Sequence, residues 1–301
     1  MIPIITSLSN PKLKSTARLK ESRDRRKQNQ FLVDGVREVF RAWQGGYRFL
    51  DVFLSLRPGC EKEDDPRPIE EKIGDPADRH YKDLKKFVQE LIKDGVPITG
   101  VSESVFSKIS FGDRNEGIVA VLEGRTTTFA DLETLSDVPL IGVLEGIEKP
   151  GNVGAVFRSA DGAGLDAMII AAPGTDLYNP NTIRASLGTL FRIPTVIASS
   201  EETMDWLIRS KIQIASALCD SAVPYSLLDY TGPTAIVLGN EADGLTSIWS
   251  KDRESEAGIC GIKIPMLGIA DSLNISNAAA VLFYEARRQR QIANEHRYKM
   301  V

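Results

Sequence analysis

Residues 262–291 read IKIPMLGIADSLNISNAAAVLFYEARRQRQ, and this stretch decides the fold of the carboxyl-terminal half of the chain. Alternating apolar residues predict a strand that runs to Met266, and apolar residues three to four apart predict a helix after residue 276. Ser272, Asn274 and Ser276 lie in the small-residue loop between them, where each can accept a hydrogen bond from the first helical turn. Capping needs one such residue, so three together indicate a ligand as well.

Length and composition predict two domains of an ordinary soluble protein. The chain has 301 residues, of which 42% are hydrophobic and 26% are charged, and single domains are usually smaller. No run is long enough to cross a bilayer and no signal-peptide pattern is present, so we expect a cytoplasmic protein. The three cysteines are far apart without metal-ligand spacing, and we expect no bound metal.

Histidine is scarce, which limits the possible chemistry. The two histidines are His80, in a polar segment, and His296, in the basic tail. Neither lies near a plausible site, so a Ser-His-Asp or Cys-His mechanism is disfavoured. Any catalysis is expected to proceed without imidazole.

The net charge of −4 does not indicate a nucleic-acid-binding protein, but the charge is unevenly distributed. A run of cations occupies the first thirty residues, and its candidates for phosphate contact are Lys12, Lys14, Arg18, Arg25 and Arg26. A solvated helix face is the alternative interpretation.

Residues 1–124 are predicted to form a small α/β domain. A basic helix over residues 12–28 is followed by short apolar strands that alternate with helices. The run 57–79 is rich in proline and acidic residues, which predicts an exposed insertion for which disorder is one interpretation.

After a connector at 125–138, residues 139–301 are predicted to form a parallel sheet with helices on both faces. Strand and helix patterns alternate through this region, as expected of a covered parallel sheet. Ligands bind such sheets beyond the carboxyl ends of the strands. The loops that follow the strands are therefore the places to look for a site.

Three of these loops have a composition suited to a ligand. Residues 148–164 read EKPGNVGAVFRSADGAG, with Asn152 as a donor and acceptor and Arg158 further along the helix. Residues 239–245 read GNEADGL, in which two glycines bracket two carboxylates, including Glu241; a tight turn with solvent-facing acids is the alternative. The third is the loop before residue 276. None matches GxGxxG or GxxxxGK[ST], which disfavours an ordinary dinucleotide site.

The three segments resemble, in order, the signature motifs of the SpoU (TrmH-type) branch of the SPOUT methyltransferases. The matching runs are GNVGAVFRSADGAG, LGNEADGL and IPMLGIADSLNISNAAAVLFYEARRQR, and the resemblance is close over residues 140–291. It is looser over 9–122, where FLVDGVREVFRAW is similar to the substrate-binding domain, of ribosomal-protein type, that often precedes the catalytic domain.

The resemblance implies methylation of a ribose 2′-hydroxyl in RNA with S-adenosylmethionine as donor, on ribosomal RNA in preference to transfer RNA. It also implies a carboxyl-terminal trefoil knot, a homodimer and no metal. By motif position, the backbone around Gly239, Ile264 and Leu273 would hold the adenosine of the donor. The catalytic neighbourhood would consist of Arg158, Asn152, Glu241, Ser272 and Asn274.

The residues leave the role of Arg158 open. Methyl transfer needs the hydroxyl in line with the methyl group and a route for its proton. Arg158 either loses its proton in a desolvated site or stays charged and stabilises the developing alkoxide, and we favour the second because guanidinium is a very weak acid. A surface cation without a catalytic role is the third interpretation.

Two other functions remain compatible with parts of the sequence. One is a non-catalytic RNA-binding or ribosome-assembly factor that kept the fold. The other is a nicotinamide-dependent oxidoreductase, which the missing dinucleotide fingerprint disfavours.

Overall fold

The structure, a computed structural model, describes residues 2–62, 64–74, 81–111, 116–134, 136–218, 223–241, 243–249 and 258–299, with side chains up to residue 295. It divides into two compact units. The first is Met1–Arg125 with Tyr178–Arg192, and the second is Thr126–Leu177 with Ile193–Val301. The sequence analysis placed the boundary at residue 124 and assigned 178–192 to the second domain, whereas the first unit runs to Arg125 and includes 178–192.

Strands and helices alternate along most of the chain. The strands are β1 (Ile4–Ile5), β2 (Gln30–Asp34), β3 (Phe49–Ser55), β4 (Ile98–Val101), β5 (Ile118–Glu123), β6 (Leu140–Glu145), β7 (Ala167–Ala171), β8 (Thr195–Ala198), β9 (Gln213–Ala217), β10 (Val223–Pro224), β11 (Thr234–Leu238) and β12 (Ile259–Lys263). The α-helices are α1 (Pro11–Arg18), α2 (Ser22–Gln28), α3 (Val36–Gln44), α4 (Tyr81–Lys93), α5 (Glu103–Ile109), α6 (Phe129–Leu132), α7 (Pro150–Ala163), α8 (Pro180–Ala185), α9 (Ser200–Arg209) and α10 (Ile275–Lys299).

The first unit is built on a mixed five-stranded sheet. Its strand order is β1-β4-β3-β5-β2, with β3 parallel to β4 and antiparallel to β5. One face packs on a core that includes Phe53, Phe106 and Val119, all fully buried. The prediction of a small α/β domain is confirmed.

The basic amino-terminal segment forms two helices instead of the single helix predicted for 12–28. The chain turns at residues 19–21, where the N–H of Leu19 bonds to the carbonyl of Thr16. Arg25, on α2, is only 4% exposed and donates to the carbonyls of Leu19 and Lys20 at 2.9 and 2.7 Å. The guanidinium satisfies carbonyls left free where α1 ends, so Arg25 lies in the interior of the unit.

The acidic insertion is folded wherever the structure describes it. A 3₁₀ turn spans Ile69–Glu71, and Ile73 forms an antiparallel bridge with Leu56. The buried ammonium of Lys72 donates to the carbonyl of Asp65 at 2.8 Å. Disorder is therefore wrong for 57–62 and 64–74, because two buried isoleucines in an otherwise polar run anchor it. Residue 63 and residues 75–79 lie outside the described residues.

Residues 178–192 pack into the first unit through an aromatic cluster. The ring of Tyr178 stacks on Phe31 with centroids 4.0 Å apart, and Phe191 lies 5.0 Å from Tyr47 in an edge arrangement. On the same segment, the carbonyl of Leu187 accepts a hydrogen bond from the Arg41 guanidinium at 2.6 Å. The first unit is therefore incomplete without this segment.

Phe191→Ala is expected to lower the free energy of unfolding by about 3 kcal/mol, because it opens a cavity beside Phe31 and Tyr47. Chemical denaturation of the full chain measures this change. As the matched control in the same unit, the exposed Leu8→Ala should alter the free energy by less than about 0.5 kcal/mol. Equal effects of the two changes would contradict the packing role.

The second unit confirms the predicted parallel sheet. Its order is β10-β12-β9-β11-β6-β7-β8, and every pair is parallel. Strands β6, β7 and β11 are buried along their whole length, as expected when helices flank the sheet. Helices α7 and α10 pack against each other.

The last strand ends earlier than the apolar alternation predicts. β12 stops at Lys263, so Ile264 and Met266 belong to the loop that precedes α10. Pro265 has no N–H to donate to a ladder, which explains the early end. Across the described parts of the chain, no helix is both long and apolar enough to span a membrane.

Candidate active site

One carboxylate joins all three loops that the sequence analysis singled out. Glu241 accepts hydrogen bonds from the Lys149 ammonium at 2.6 Å, the Asn152 amide at 2.7 Å and the Asn274 amide at 2.5 Å. The two amides also contact each other, with Nδ2 of Asn274 at 3.5 Å from Oδ1 of Asn152. The cluster lies beyond the carboxyl ends of β6 and β11, where parallel sheets bind ligands.

Glu241 is held by a loop that folds back on itself directly after β11. Asn240 and Gly244 exchange two backbone hydrogen bonds, at 3.0 and 2.9 Å. A Cβ on Gly239 would lie 2.3 Å from the carbonyl group of Gly244, so only glycine fits there. Gly244 has φ +70°, a conformation that favours glycine. The two bracketing glycines thus make the turn that presents the carboxylate.

The oxygen and the nitrogen of the Asn274 side-chain amide make different hydrogen bonds. Its Oδ1 caps α10 by accepting from the backbone N–H of Ser276 at 3.0 Å and from its hydroxyl at 2.6 Å. This contact leaves Nδ2 pointing to Glu241. The capping interpretation is therefore confirmed for this residue, and the cap also orients the amide toward Glu241.

Charge in the cluster is shared between Glu241 and Lys149. The hydrogen bond from Lys149 lowers the pKa of Glu241 below its ordinary value, against the opposing effect of burial. The same hydrogen bond raises the pKa of Lys149. Glu241 is therefore ionised at neutral pH and is an acceptor, not a proton donor.

Arg158 and Ser272 stand apart from this cluster within one chain. Both side chains are exposed, and neither forms a hydrogen bond or ion pair in the part of the chain that the structure describes. Asn152 and Arg158 are six residues apart on α7, so at about 100° per residue they point in different directions. The structure thus unites Asn152, Glu241 and Asn274 but does not join Arg158 or Ser272 to them by any hydrogen bond.

The loop before α10 presents apolar side chains to solvent. Leu267 is 99% exposed and Ile269 is fully exposed, whereas Ile264 and Leu273 are partly buried. Apolar side chains this exposed require an explanation when they cluster in one loop. Ile264 and Leu273 flank the exposed stretch.

The sequence analysis missed Lys149, although it contacts the central carboxylate. The sequence did contain one indication of its role. Lys149 is a cation directly before Pro150, the first residue of α7, in a loop with a composition suited to a ligand. Over the described residues, no three His, Cys, Asp or Glu side chains are grouped so that they could hold a metal ion. His80 lies outside the described residues.

These features define a class: a parallel α/β domain whose site combines one ionised carboxylate, two amides and a lysine. The model of the SpoU rRNA methylase family matches residues 139–284, and that of the MRM3-like substrate-binding domain matches residues 10–120. The chain belongs to the SpoU rRNA methylase family, of the SPOUT type.

Similar proteins of known name or structure cover nearly the whole chain. It is 30% identical over 278 residues to a 23S rRNA (uridine(2479)-2′-O)-methyltransferase of Streptomyces viridochromogenes, covering 88% of this chain and 85% of that one. The crystal structure of an RNA 2′-O ribose methyltransferase has a TM-score of 0.72 and 35% identity, covering 96% of this chain and 99% of that one. An AdoMet-bound rRNA methyltransferase of Sinorhizobium meliloti has a TM-score of 0.78 and 26% identity, covering 95% and 98%.

Proposed function

We propose that this protein methylates a ribose 2′-hydroxyl in ribosomal RNA with S-adenosylmethionine as donor, in the cytoplasm. The observation that carries the proposal is the convergence of Asn152, Glu241 and Asn274, one from each family motif, on a single hydrogen-bonded cluster. The similar Streptomyces viridochromogenes enzyme is a 23S rRNA methyltransferase, which favours ribosomal RNA over transfer RNA as the substrate.

The residues fit the proposed donor. The exposed apolar side chains of Leu267 and Ile269 offer surface for an adenine ring. The ionised carboxylate of Glu241 favours binding of the positively charged donor nearby. When bound, the donor supplies an activated methyl group; Gly239, Ile264 and Leu273 are the proposed backbone contacts.

Within this proposal, each side chain has a defined task at the ribose. The amides of Asn152 and Asn274 are fixed by Glu241, so they can orient the hydroxyl without rearranging. Ser272, exposed in the same loop, is proposed as a further positioning hydroxyl. Arg158 stays charged and stabilises the ribose oxygen while the hydroxyl proton passes to solvent water.

Arg158 is proposed to act in the site of a second copy of this chain. In one chain it is exposed, has no hydrogen bond to the cluster and points away from Asn152 along α7. A homodimer that pairs the exposed sides of these helices would supply it to the partner's cluster. The protein is therefore proposed to be a homodimer with two composite sites.

Mixing inactive variants tests the composite site. In a mixture of Arg158→Ala and Asn274→Ala chains, half of the dimers are mixed, and each mixed dimer contains one intact composite site. About one quarter of wild-type activity should therefore return after subunit exchange. Return of no activity, with mixed dimers verified by mass spectrometry, would place Arg158 and Asn274 in the same chain's site.

A trefoil knot is part of the proposed fold. β12 lies between β10 and β9 instead of at the edge of the sheet, which supports passage of the last segment through an earlier loop. Knots are rare, so the family carries most of this inference.

Phosphate contacts are proposed for the exposed cations of the amino-terminal helices. Lys14, Arg18 and Arg26 are exposed. Lys12 forms an ion pair with the buried Asp51 and donates to Thr99 at 2.9 Å, while Arg25 is buried. Both were proposed from sequence as RNA contacts: Arg25 is buried, and the ammonium of Lys12, whose side chain is 46% exposed, is engaged by Asp51 and Thr99. The remaining cations would give affinity without sequence choice.

The proposed function is tested by incubating total RNA with the protein and a labelled methyl donor. We expect label at alkali-resistant ribose positions in 23S rRNA, because a 2′-O-methyl group blocks cleavage. Label confined to tRNA would change the substrate class. Calorimetric binding of RNA without binding of S-adenosylmethionine would instead support a non-catalytic assembly factor.

A further inference from the structure

A second carboxylate, Glu145, lies beneath the candidate site and is not used by the chemistry above. It is the last residue of β6 and only 3% exposed. Because Leu144 of β6 pairs with Leu238 of β11, Glu145 lies at the point where β11 gives way to Gly239 and the loop that carries Glu241.

Four donors from two separate segments converge on Glu145. Its Oε1 accepts from the hydroxyls of Ser200 and Thr246, at 2.5 and 2.7 Å, and from the indole N–H of Trp249 at 2.7 Å. Its Oε2 accepts from the backbone N–H of Thr246 at 2.8 Å. The carboxylate therefore accepts four hydrogen bonds, three of them at Oε1.

This hydrogen-bonded carboxylate anchors the far end of the loop that presents Glu241. The loop starts at Gly239, closes on itself between Asn240 and Gly244, and reaches Thr246 two residues later. Its start is fixed by β11, and its end is fixed to β6 through Thr246 and the fully buried Trp249. Glu145 thereby controls where the loop can place its turn.

We infer that Glu145 is a positioning residue for methyl transfer, holding the loop of residues 239–246 so that Glu241 meets Asn152 and Asn274. This inference rests on the proposed function. The effect follows from geometry, because misplacing a catalytic group by about 1 Å costs roughly a hundredfold in rate. Such a role predicts a lower kcat with little change in the KM for RNA.

The sharpest test is Glu145→Gln, which keeps the shape of the side chain. With the amide oxygen at the Oε1 position, three donors keep their acceptor, but the new NH₂ group faces the backbone N–H of Thr246. The change therefore removes one of the three hydrogen bonds that anchor the loop and sets two donors against each other at that point. We expect kcat per donor-binding site to fall about 10- to 100-fold, with the KM for RNA within about threefold. Glu145→Asp, which keeps the charge, should retain more activity than Glu145→Gln.

Hydrogen exchange measures the anchor without any substrate. In Glu145→Gln, peptides that cover residues 239–249 should exchange faster, while peptides from β7 stay protected. Glu133→Gln, an exposed glutamate of the same unit, is the matched control and should change neither exchange nor kcat. Should Glu145→Gln fail to fold, Thr246→Val removes one donor at nearly constant volume and should lower kcat severalfold.

The outcomes separate the two proposals. Unchanged kcat per donor-binding site in Glu145→Gln would overturn the positioning role, and so would unchanged exchange over residues 239–249. If the wild-type protein transfers no methyl group to any RNA, the proposed function is refuted. Hydrogen exchange in wild type and Glu145→Gln still measures whether Glu145 anchors the loop. A fall in active protein with normal kcat per donor-binding site would reveal a structural role alone.

Discussion

Arg158→Ala is expected to lower turnover by about a hundred- to a thousandfold, the usual cost of removing one group that stabilises a developing oxyanion. Folding should be unaffected, because the Arg158 side chain is exposed and has no hydrogen bond or ion pair within the described residues. Binding of S-adenosylmethionine should also remain near wild type, since the proposed contacts lie on the other two loops. Single-turnover methylation and calorimetric titration of the donor measure the two effects separately.

Controls on charge and position make this result specific. Arg209→Ala removes another exposed arginine of the same unit, which donates a hydrogen bond to the carbonyl of Asp205 at 3.2 Å, and should leave turnover unchanged. Arg158→Lys keeps the positive charge but loses the planar fork, so an intermediate rate is expected. Near-normal turnover in Arg158→Ala would remove this residue from the mechanism.

Glu241→Ala is expected to lower turnover about a hundredfold, because Lys149, Asn152 and Asn274 lose their common acceptor. Glu241→Gln should be milder, at about tenfold. Both amides donate to Oε1, which an amide oxygen can replace, whereas the new NH₂ group would face the ammonium of Lys149. Steady-state rates with saturating donor measure the series.

The matched control for these changes is Glu148→Gln, since Glu148 is an exposed glutamate next to Lys149 and should show wild-type rates. If Glu241→Ala and Glu148→Gln behaved alike, the cluster would have no catalytic role. The turnover of Lys149→Met should be close to that of Glu241→Gln, because each change breaks the same ion pair.

The pH dependence of stability supplies an independent measurement on Glu241. Its pKa is lowered in the folded state, chiefly by the hydrogen bond from Lys149, so its ionised form favours folding. This contribution is present above the unfolded pKa of about 4.3 and is lost as pH falls through the lower folded value. The difference in free energy of unfolding between wild type and Glu241→Gln should therefore be constant near neutral pH and shrink below about pH 4.

Local patterns explain why much of the fold was predictable. The alternation of apolar strands with helices depends on neighbours a few residues apart, and it predicted the parallel sheet of the second unit. The observed ends of strands and helices differ from the predicted ones where a single residue interrupts the local pattern. Pro265 ended β12 early, and the buried guanidinium of Arg25 accompanied a break in the first helix.

The candidate site was predictable only in part. Composition and the resemblance to a family indicate the three loops and the residues Asn152, Glu241 and Asn274. The hydrogen bonds that bring these residues together join Glu241 to Asn152, 89 positions away, and to Asn274, 33 positions away. The sequence indicated which residues matter, but not that Glu241 is the acceptor common to the others.

The sequence by itself determined the family, the covered parallel sheet and the three motifs, because these depend on short-range spacing of residue types. The tertiary structure alone decided that Arg25 is internal, that 178–192 completes the first unit, and that Lys149 and Glu145 support the site. Each of these depends on hydrogen bonds or ring contacts between distant segments. Such contacts follow from how strands are ordered in a sheet, and no local pattern records that order.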